Sequence, residues 1–153
     1  MKHQIILLGK DITSVYHGIK EFGPDHVHLL CTNETKEVAA PLFPLLPDSI
    51  RRTLYRTEPY DGEHVRNVCR KIHQTYPSAE FAYNLSEGTK VMAFAAFTIA
   101  KEYSVPAFYL SQLGELIRLD SFEKYPMQSQ LDNKEILGLS GNILTEYQDA
   151  KHL

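Results

Sequence analysis

Short apolar segments alternate with helical patterns along this chain, and this alternation constrains its fold more than any other feature. Residues 4–8 form a continuous apolar run closed by Gly9, which is typical of a strand buried on both faces of a parallel sheet. The same patterns predict strands over 26–31, 52–57 and 79–83, and helices over 12–22, between Asp61 and Pro77, and over 91–103. Strands separated by such helices form right-handed crossovers, so the chain predicts an α/β fold with a parallel sheet.

A hairpin is predicted after the third helix. Residues 106–111 and 115–119 have strand character, and Gly114 lies between them. The expected fold is therefore a Rossmann-like three-layer sandwich, mainly parallel, with an antiparallel hairpin at one edge. A further short helix is expected near 36–40, where prolines then enforce an irregular apolar connection.

The sequence pattern changes in the last part of the chain. Residues 121–130 are polar and irregular, and residues 131–147 carry apolar side chains interrupted by glycines, which indicates one broken helix. We expect residues 1–120 to form the Rossmann-like domain. Residues 121–153 are then a C-terminal helical extension or a linker, leading to a further domain or forming part of a dimer surface.

Composition excludes several classes of protein. The 153 residues are 43% hydrophobic and 23% charged, as in one folded domain rather than a disordered chain. A net charge of −3 provides no global positive field for duplex DNA or an anionic membrane surface. No run approaches the ~20 apolar residues of a membrane span. Cys31 and Cys69 lie far apart without a C-x-x-C spacing, so we expect a reduced, cytoplasmic protein.

Three polar loops follow the first, second and fourth strands, at residues 9–14, 32–34 and 84–90. Ligands of open α/β sheets bind at the carboxyl ends of the strands. In the third loop Gly88 permits close backbone approach, and Thr89 and Lys90 open a helix whose free N–H groups can bind an anion. An ordinary turn capped by Ser86 or Thr89, with Lys90 in solvent, explains the same residues equally well. The Walker A and G-x-G-x-x-G fingerprints are both absent, which disfavours a standard ATP or NAD enzyme, and no cofactor is expected.

Residues 84–93 read NLSEGTKVMA and resemble the N-[LIV]-[ST]-G-G-T-K-x-M-[AS] signature of CARF domains, the CRISPR-associated Rossmann-fold sensors. The order of strands, the polar loop at 11–14 and the hairpin around Gly114 extend the resemblance over most of the chain. It implies a homodimer that binds a cyclic oligoadenylate, with cyclic tetra-adenylate favoured over the hexa-adenylate. Such a domain regulates an attached effector in type III CRISPR antiviral defence.

The resemblance also implies the ligand-binding residues. Gly88, Thr89 and Lys90 would contact phosphate and ribose near the two-fold axis, and Asn84 and Ser86 would hold the loop and reach the ligand. The full predicted set is Gly9, Lys10, Asp11, Thr13, Ser14, Thr32, Asn33, Asn84, Ser86, Glu87, Gly88, Thr89 and Lys90. Glu87 departs from the family pattern, which has glycine there. We expect its side chain to point outward because Glu is rarely buried unpaired; if it points inward, it repels the ligand unless it accepts a hydrogen bond from an adenine amino group or a ribose hydroxyl.

Two alternatives stay open. A stand-alone ring nuclease would cleave the cyclic ligand without a metal, with Lys90 and Ser14 stabilising the leaving group. An unrelated Rossmann-like enzyme acting on a nucleotide or sugar phosphate is the third possibility. No metal is expected, because His26 and His28 share one strand face and no Asp, Glu or Cys cluster completes the pair.

Overall fold

The computed structural model describes residues 1–140, which form a seven-stranded sheet in the order β3-β2-β1-β4-β5-β6-β7. The first five strands pair in parallel, and the last two are antiparallel. The order reverses between β1 and β4, so the chain has a switch point there. The strands are Lys2–Leu7 (β1), His26–Cys31 (β2), Arg51–Arg56 (β3), Glu80–Asn84 (β4), Ala107–Leu110 (β5), Glu115–Arg118 (β6) and Lys124–Pro126 (β7).

Helices cover both faces of the sheet, which confirms the predicted three-layer, Rossmann-like sandwich. Ile6, Leu8 and Val27 face one helical layer, whereas Ile5 and Leu7 face the other, as expected when successive side chains of a strand point to opposite faces. The described helices are Ile12–Phe22 (α1) and Asn133–Leu139 (α4) on the first face, and Gly62–Thr75 (α2) and Lys90–Glu102 (α3) on the second.

Side chains of the N-cap residues begin the helices where the sequence predicts. Asp11 accepts a hydrogen bond from the Thr13 N–H, Asp61 from His64 and Thr89 from Met92. Each cap satisfies a backbone donor that has no partner within its own helix. No helix among residues 1–140 is long and apolar enough to cross a membrane.

Two local predictions are wrong. Residues 33–42 contain no α-helix: Val38, Ala40 and Leu42 each donate to the carbonyl three residues earlier, and a 3-10 turn follows at Phe43–Leu45. The closely spaced prolines lack the donors that an α-helix needs. The segment 121–130 also includes the strand β7, which the sequence pattern misses because it has three exposed residues.

The C-terminal part of the described chain contacts the sandwich. Strand β7 pairs with β6, and Glu135 of α4 accepts hydrogen bonds from Lys20 at 2.8 Å and from Tyr16. The boundary at residue 120 therefore stays a prediction about domains. Helix α4 covers part of the predicted broken helix at 131–147, and the rest of that prediction lies outside the described residues.

Candidate ligand-binding site

Two loops at the carboxyl edge of the sheet are built into one unit. The loop after β1 begins at Gly9, and the loop after β4 follows Asn84; these strands are neighbours at the switch point. The helices α1 and α3 both begin at this edge. Their free N–H groups make it the electropositive end of both helix dipoles.

Asn84 holds the loop after β4 in place. Its side-chain Oδ1 accepts hydrogen bonds from the Ser86 N–H at 3.1 Å and the Ser86 hydroxyl at 2.6 Å, and its Nδ2 donates to the Ser14 carbonyl at 3.2 Å. The Ser86 hydroxyl also accepts from the Leu110 N–H. Asn84 is only 1% exposed. These bonds give both residues a positioning role, and their direct contact with a ligand stays a prediction.

Thr89 is the N-cap of α3, as predicted by the interpretation of this loop as an ordinary turn capped by Ser86 or Thr89. Its hydroxyl accepts from the Met92 N–H at 3.1 Å and donates to the Pro59 carbonyl. Gly88 has a φ of +90°, and a Cβ there would lie 3.1 Å from Leu7 Cβ, so the turn requires glycine. Lys90 is exposed in the first turn of the helix.

Glu87 does not point outward as the sequence predicted. Its carboxylate accepts a hydrogen bond from the Asp11 N–H at 2.9 Å, and the residue is half-buried between the two loops. Burial raises the pKa of Glu87, the Asp11 charge adds to that rise and the Asp11 N–H opposes it. The error has a physical cause: the donor that pairs with Glu87 is a backbone group 76 positions away, which no local pattern reveals.

Two depressions lie along this edge and collect most of the predicted residues. One, of about 350 Å³, is lined by loops after β1 to β4; the other, of about 360 Å³, lies between α1 and the hairpin. The first contains the predicted residues Gly9, Lys10, Thr32, Glu87, Gly88 and Thr89, and the second contains Asp11, Thr13 and Ser14. Four predicted residues line neither depression: Asn33 and Lys90, which are exposed, and Asn84 and Ser86, which are not.

Sequence reasoning missed several lining residues. Pro59 and Tyr60 belong to the loop after β3, and Ser111 and Gln112 belong to the hairpin turn. A usable signal existed, because the loop after any parallel strand reaches the same edge. The sequence prediction included only the loops after β1, β2 and β4, so it did not contain these residues.

An apolar patch adjoins Lys90. We define it as Leu85, Ala93, Phe94, Phe97, Leu119 and Phe122, which together with Lys90 line a depression of about 380 Å³. Phe94 and Phe122 are each 73% exposed. One face of α3 is therefore exposed, although residues 91–100 form a strongly apolar run in the sequence. Exposed apolar side chains that lie together make this patch a candidate interaction surface.

Gly9 offers a test of the link between the two loops. A Cβ at Gly9 would lie 2.6 Å from Glu87 Oε1 and 2.9 Å from Glu87 Cβ. We expect Gly9→Ala to break the hydrogen bond from the Asp11 N–H to Glu87. The unfolding free energy should fall by about 1–3 kcal/mol, measured by urea denaturation. Glu87→Gly removes both clashing atoms, so the double variant is expected to recover part of the loss. Equal destabilisation with and without Glu87 would contradict this account.

Comparison with known proteins supports the fold. No protein-family model matches this chain, and no curated protein matches it by sequence. Among solved structures, Can2 from Sulfobacillus thermosulfidooxidans in complex with cyclic tetra-adenylate matches with a TM-score of 0.81 and 22% identity, over 92% of this chain and 41% of Can2.

Two further structures match with lower scores. A type III CRISPR defence DNA nuclease activated by cyclic oligoadenylate has a TM-score of 0.71 and 20% identity, over 90% of this chain and 23% of the nuclease. Enterococcus italicus Csm6, bound to cyclic hexa-2′-fluoro-hexa-dAMP, has a TM-score of 0.65 and 13% identity, over 93% of this chain and 38% of Csm6. This chain thus spans less than half of each matched protein. These neighbours confirm the predicted fold.

Proposed function

We propose that this chain is a sensor domain that binds a cyclic oligoadenylate at a homodimer interface in type III CRISPR defence and regulates an attached effector. The observation that supports this most is the position of Lys90. It lies in the first turn of α3, directly after Gly88 and Thr89, which line the depression of about 350 Å³ at the carboxyl edge of the sheet. Lys90 itself adjoins the apolar patch. One residue therefore adjoins both the surface suited to phosphates and the surface suited to a second chain.

The polar edge suits a cyclic adenylate. Two helices direct their N-terminal N–H groups to this edge, and such groups bind phosphate. The two depressions are adjacent along the loop after β1, since Lys10 lines one and Asp11 the other. The hydroxyl groups of Thr13 and Ser14 can pair with a ribose 2′-OH. Two nucleotides of a ring would thus have separate places in each subunit.

Ligand symmetry and the apolar patch support the proposed dimer. A ring of four or six identical nucleotides has a two-fold axis, and a two-fold protein dimer presents the same loops to each half. The apolar patch beside Lys90 is the surface that a second copy would cover. Tetra-adenylate is the preferred ligand because Can2, the neighbour with the higher TM-score, was solved with it, whereas Csm6 was solved with a hexa-adenylate analogue.

Titration calorimetry with cyclic tetra-adenylate, cyclic hexa-adenylate and linear tetra-adenylate tests this function. We expect tight binding of the cyclic tetramer at one ring per two chains, and recovery of the intact ring by chromatography. A linear product would support the ring-nuclease alternative instead. No heat and no thermal shift with either ring would reject the proposal and leave a Rossmann-like domain with another anionic ligand.

Phe94→Glu tests the proposed dimer surface. Placing a charge at the centre of the apolar patch is expected to weaken self-association roughly 30-fold or more, as for a buried aromatic hot spot, measured by sedimentation equilibrium. Ile136→Glu is the matched control, because Ile136 is 45% exposed on α4, across the sheet from α3. An equal effect of both substitutions, or none for Phe94→Glu, would place the dimer interface elsewhere.

A further inference from the structure

Three buried histidines lie together at the amino end of the sheet, opposite the carboxyl edge that holds the candidate ligand-binding site. His3 of β1 pairs in register with His26 of β2, and His28 follows on the same face. They are 3%, 1% and 0% exposed. Each offers one ring nitrogen within 4.8 Å of the others. The sequence reveals only the His26/His28 pair, because His3 joins it through strand pairing.

Hydrogen bonds with two hydroxyl groups of β3 hold two of the three histidine rings. Thr53 Oγ1 lies 2.8 Å from His26 Nε2, and Tyr55 Oη lies 2.8 Å from His28 Nδ1. Each hydroxyl belongs to the neighbouring strand β3 and holds one ring nitrogen of its histidine, which leaves His26 Nδ1 and His28 Nε2 as the candidate ligand atoms. Metal-ligating imidazoles are oriented in this way by a second partner on the non-ligating nitrogen.

One nitrogen in the cluster has no partner. His26 Nδ1 is buried and makes no hydrogen bond with any described residue. A buried polar atom without a partner is costly, and its lone pair is available when His26 Nε2–H donates to Thr53. His3 Nδ1 and His28 Nε2 lie 2.9 Å apart and share one proton. If that proton moves to His28 Nδ1, which then donates to Tyr55, both nitrogens also become ligands without any net release of protons.

We propose that His3, His26 and His28 bind a zinc ion at the amino end of β1 and β2. Neutral imidazoles are the ligands that Zn²⁺ accepts, and burial lowers the pKa of all three histidines, to about 4 for His26 and about 3 for His28. Zinc bonds of about 2.0–2.1 Å in a tetrahedron place the ligating nitrogens about 3.3 Å apart. His3 Nδ1 and His28 Nε2, now 2.9 Å apart, must therefore separate slightly, and the His26 and His28 rings, which stack with centroids 4.1 Å apart, must turn out of that stack.

The surroundings of the cluster provide a fourth position and an entry path. His3 lines a surface depression of about 220 Å³ together with Met1, Tyr76 and Pro77, so a water molecule can reach the ion there. Nearby charges have opposite effects on a cation bound at His3. Asp25 favours it, whereas Arg51 and the N-terminal amine disfavour it. Three protein ligands and one open position define the site.

Zinc titration of the chelator-treated protein, without any nucleotide, tests the proposal. We expect one Zn²⁺ per chain by calorimetry, a rise in Tm of about 5–10 °C at 100-fold excess over the Kd, and the visible absorption of tetrahedral Co²⁺ when cobalt replaces zinc. His26→Gln is expected to abolish the Co²⁺ spectrum. His73→Gln is the matched control, because His73 is also buried but lies outside the cluster, and it should keep the spectrum.

The wild-type protein alone can overturn the proposal. Absence of Zn²⁺ binding, or binding without a tetrahedral Co²⁺ spectrum, would mean that the cluster is a hydrogen-bonded core element only. Retention of the spectrum in His26→Gln would assign the metal to other histidines. If His26→Gln fails to fold, His3→Gln serves as the second variant. None of these outcomes depends on nucleotide binding, so this proposal and the sensor function fail independently.

Discussion

Lowering the pH from 6.5 to 4 is expected to unfold the metal-free protein. Burial lowers the pKa of His26 and His73 to about 4 and that of His28 to about 3, whereas unfolded histidine titrates near 6.5. Between these values the unfolded state binds more protons, so stability falls as the pH falls. Each histidine therefore contributes about 3 kcal/mol less to the free energy of unfolding at pH 4 than at pH 6.5. Repulsion from His26 and His73 adds to burial in lowering the pKa of His28, so the three losses are not simply additive. Two of them already exceed the lower end of a typical total stability of about 5–15 kcal/mol.

Carboxylates do not account for this loss. Hydrogen bonds from Lys20 and Tyr16 lower the pKa of Glu135 to about 2, so its contribution is lost below pH 4.5, mainly outside the window. The raised pKa of Glu87 acts in the opposite direction. Urea denaturation at several pH values with a chelator present measures the slope. Similar stability at pH 5 and pH 7 would contradict the prediction.

His73 provides the control for the acid effect. Its Nε2 lies 2.8 Å from the Tyr83 hydroxyl, and its ring stacks on Tyr103 with centroids 4.0 Å apart. His73→Gln keeps an acceptor for Tyr83 but does not titrate. We expect the pH slope to fall by about 1 kcal/mol per pH unit between pH 4.5 and 6. An unchanged slope would remove His73 from the set of acid-sensitive groups.

Lys90→Ala is expected to reduce the affinity for cyclic tetra-adenylate roughly 100-fold. A hydrogen bond to a charged group contributes about 1.5–3 kcal/mol, or roughly 10–100-fold, and a symmetric dimer loses two of them. Lys90 does not serve the helix, because a cation in the first turn opposes the helix dipole. The variant should therefore keep its stability, and the loss should shrink at high salt.

Lys101→Ala is the matched control for this charge. Lys101 lies in the last turn of the same helix, where a cation favours the dipole, far from the ligand edge. Its removal should leave the affinity within about threefold and lower the stability slightly. Comparable losses for both variants would indicate a general charge effect and would remove Lys90 from the proposed site.

Much of the fold was predictable because the signals are local. The apolar run at 26–31 matches the strand His26–Cys31, and the caps at Asp11, Asp61 and Thr89 mark the starts of three helices. The failures are local as well. Residues 36–40 have helical character, yet the prolines that follow leave them in turns, and β7 has too few residues to form a pattern.

By itself, the sequence determined most of the elements, their order and three of the loops that carry the candidate ligand-binding residues. Hydrophobic periodicity and caps act over a few residues, so they can be read along the chain. Only the tertiary structure decided that Glu87 meets the Asp11 N–H, that Phe94 faces outward and that His3 completes a cluster with His26 and His28. These contacts depend on which strands become neighbours and which helix face is covered, and packing across the whole sheet determines both.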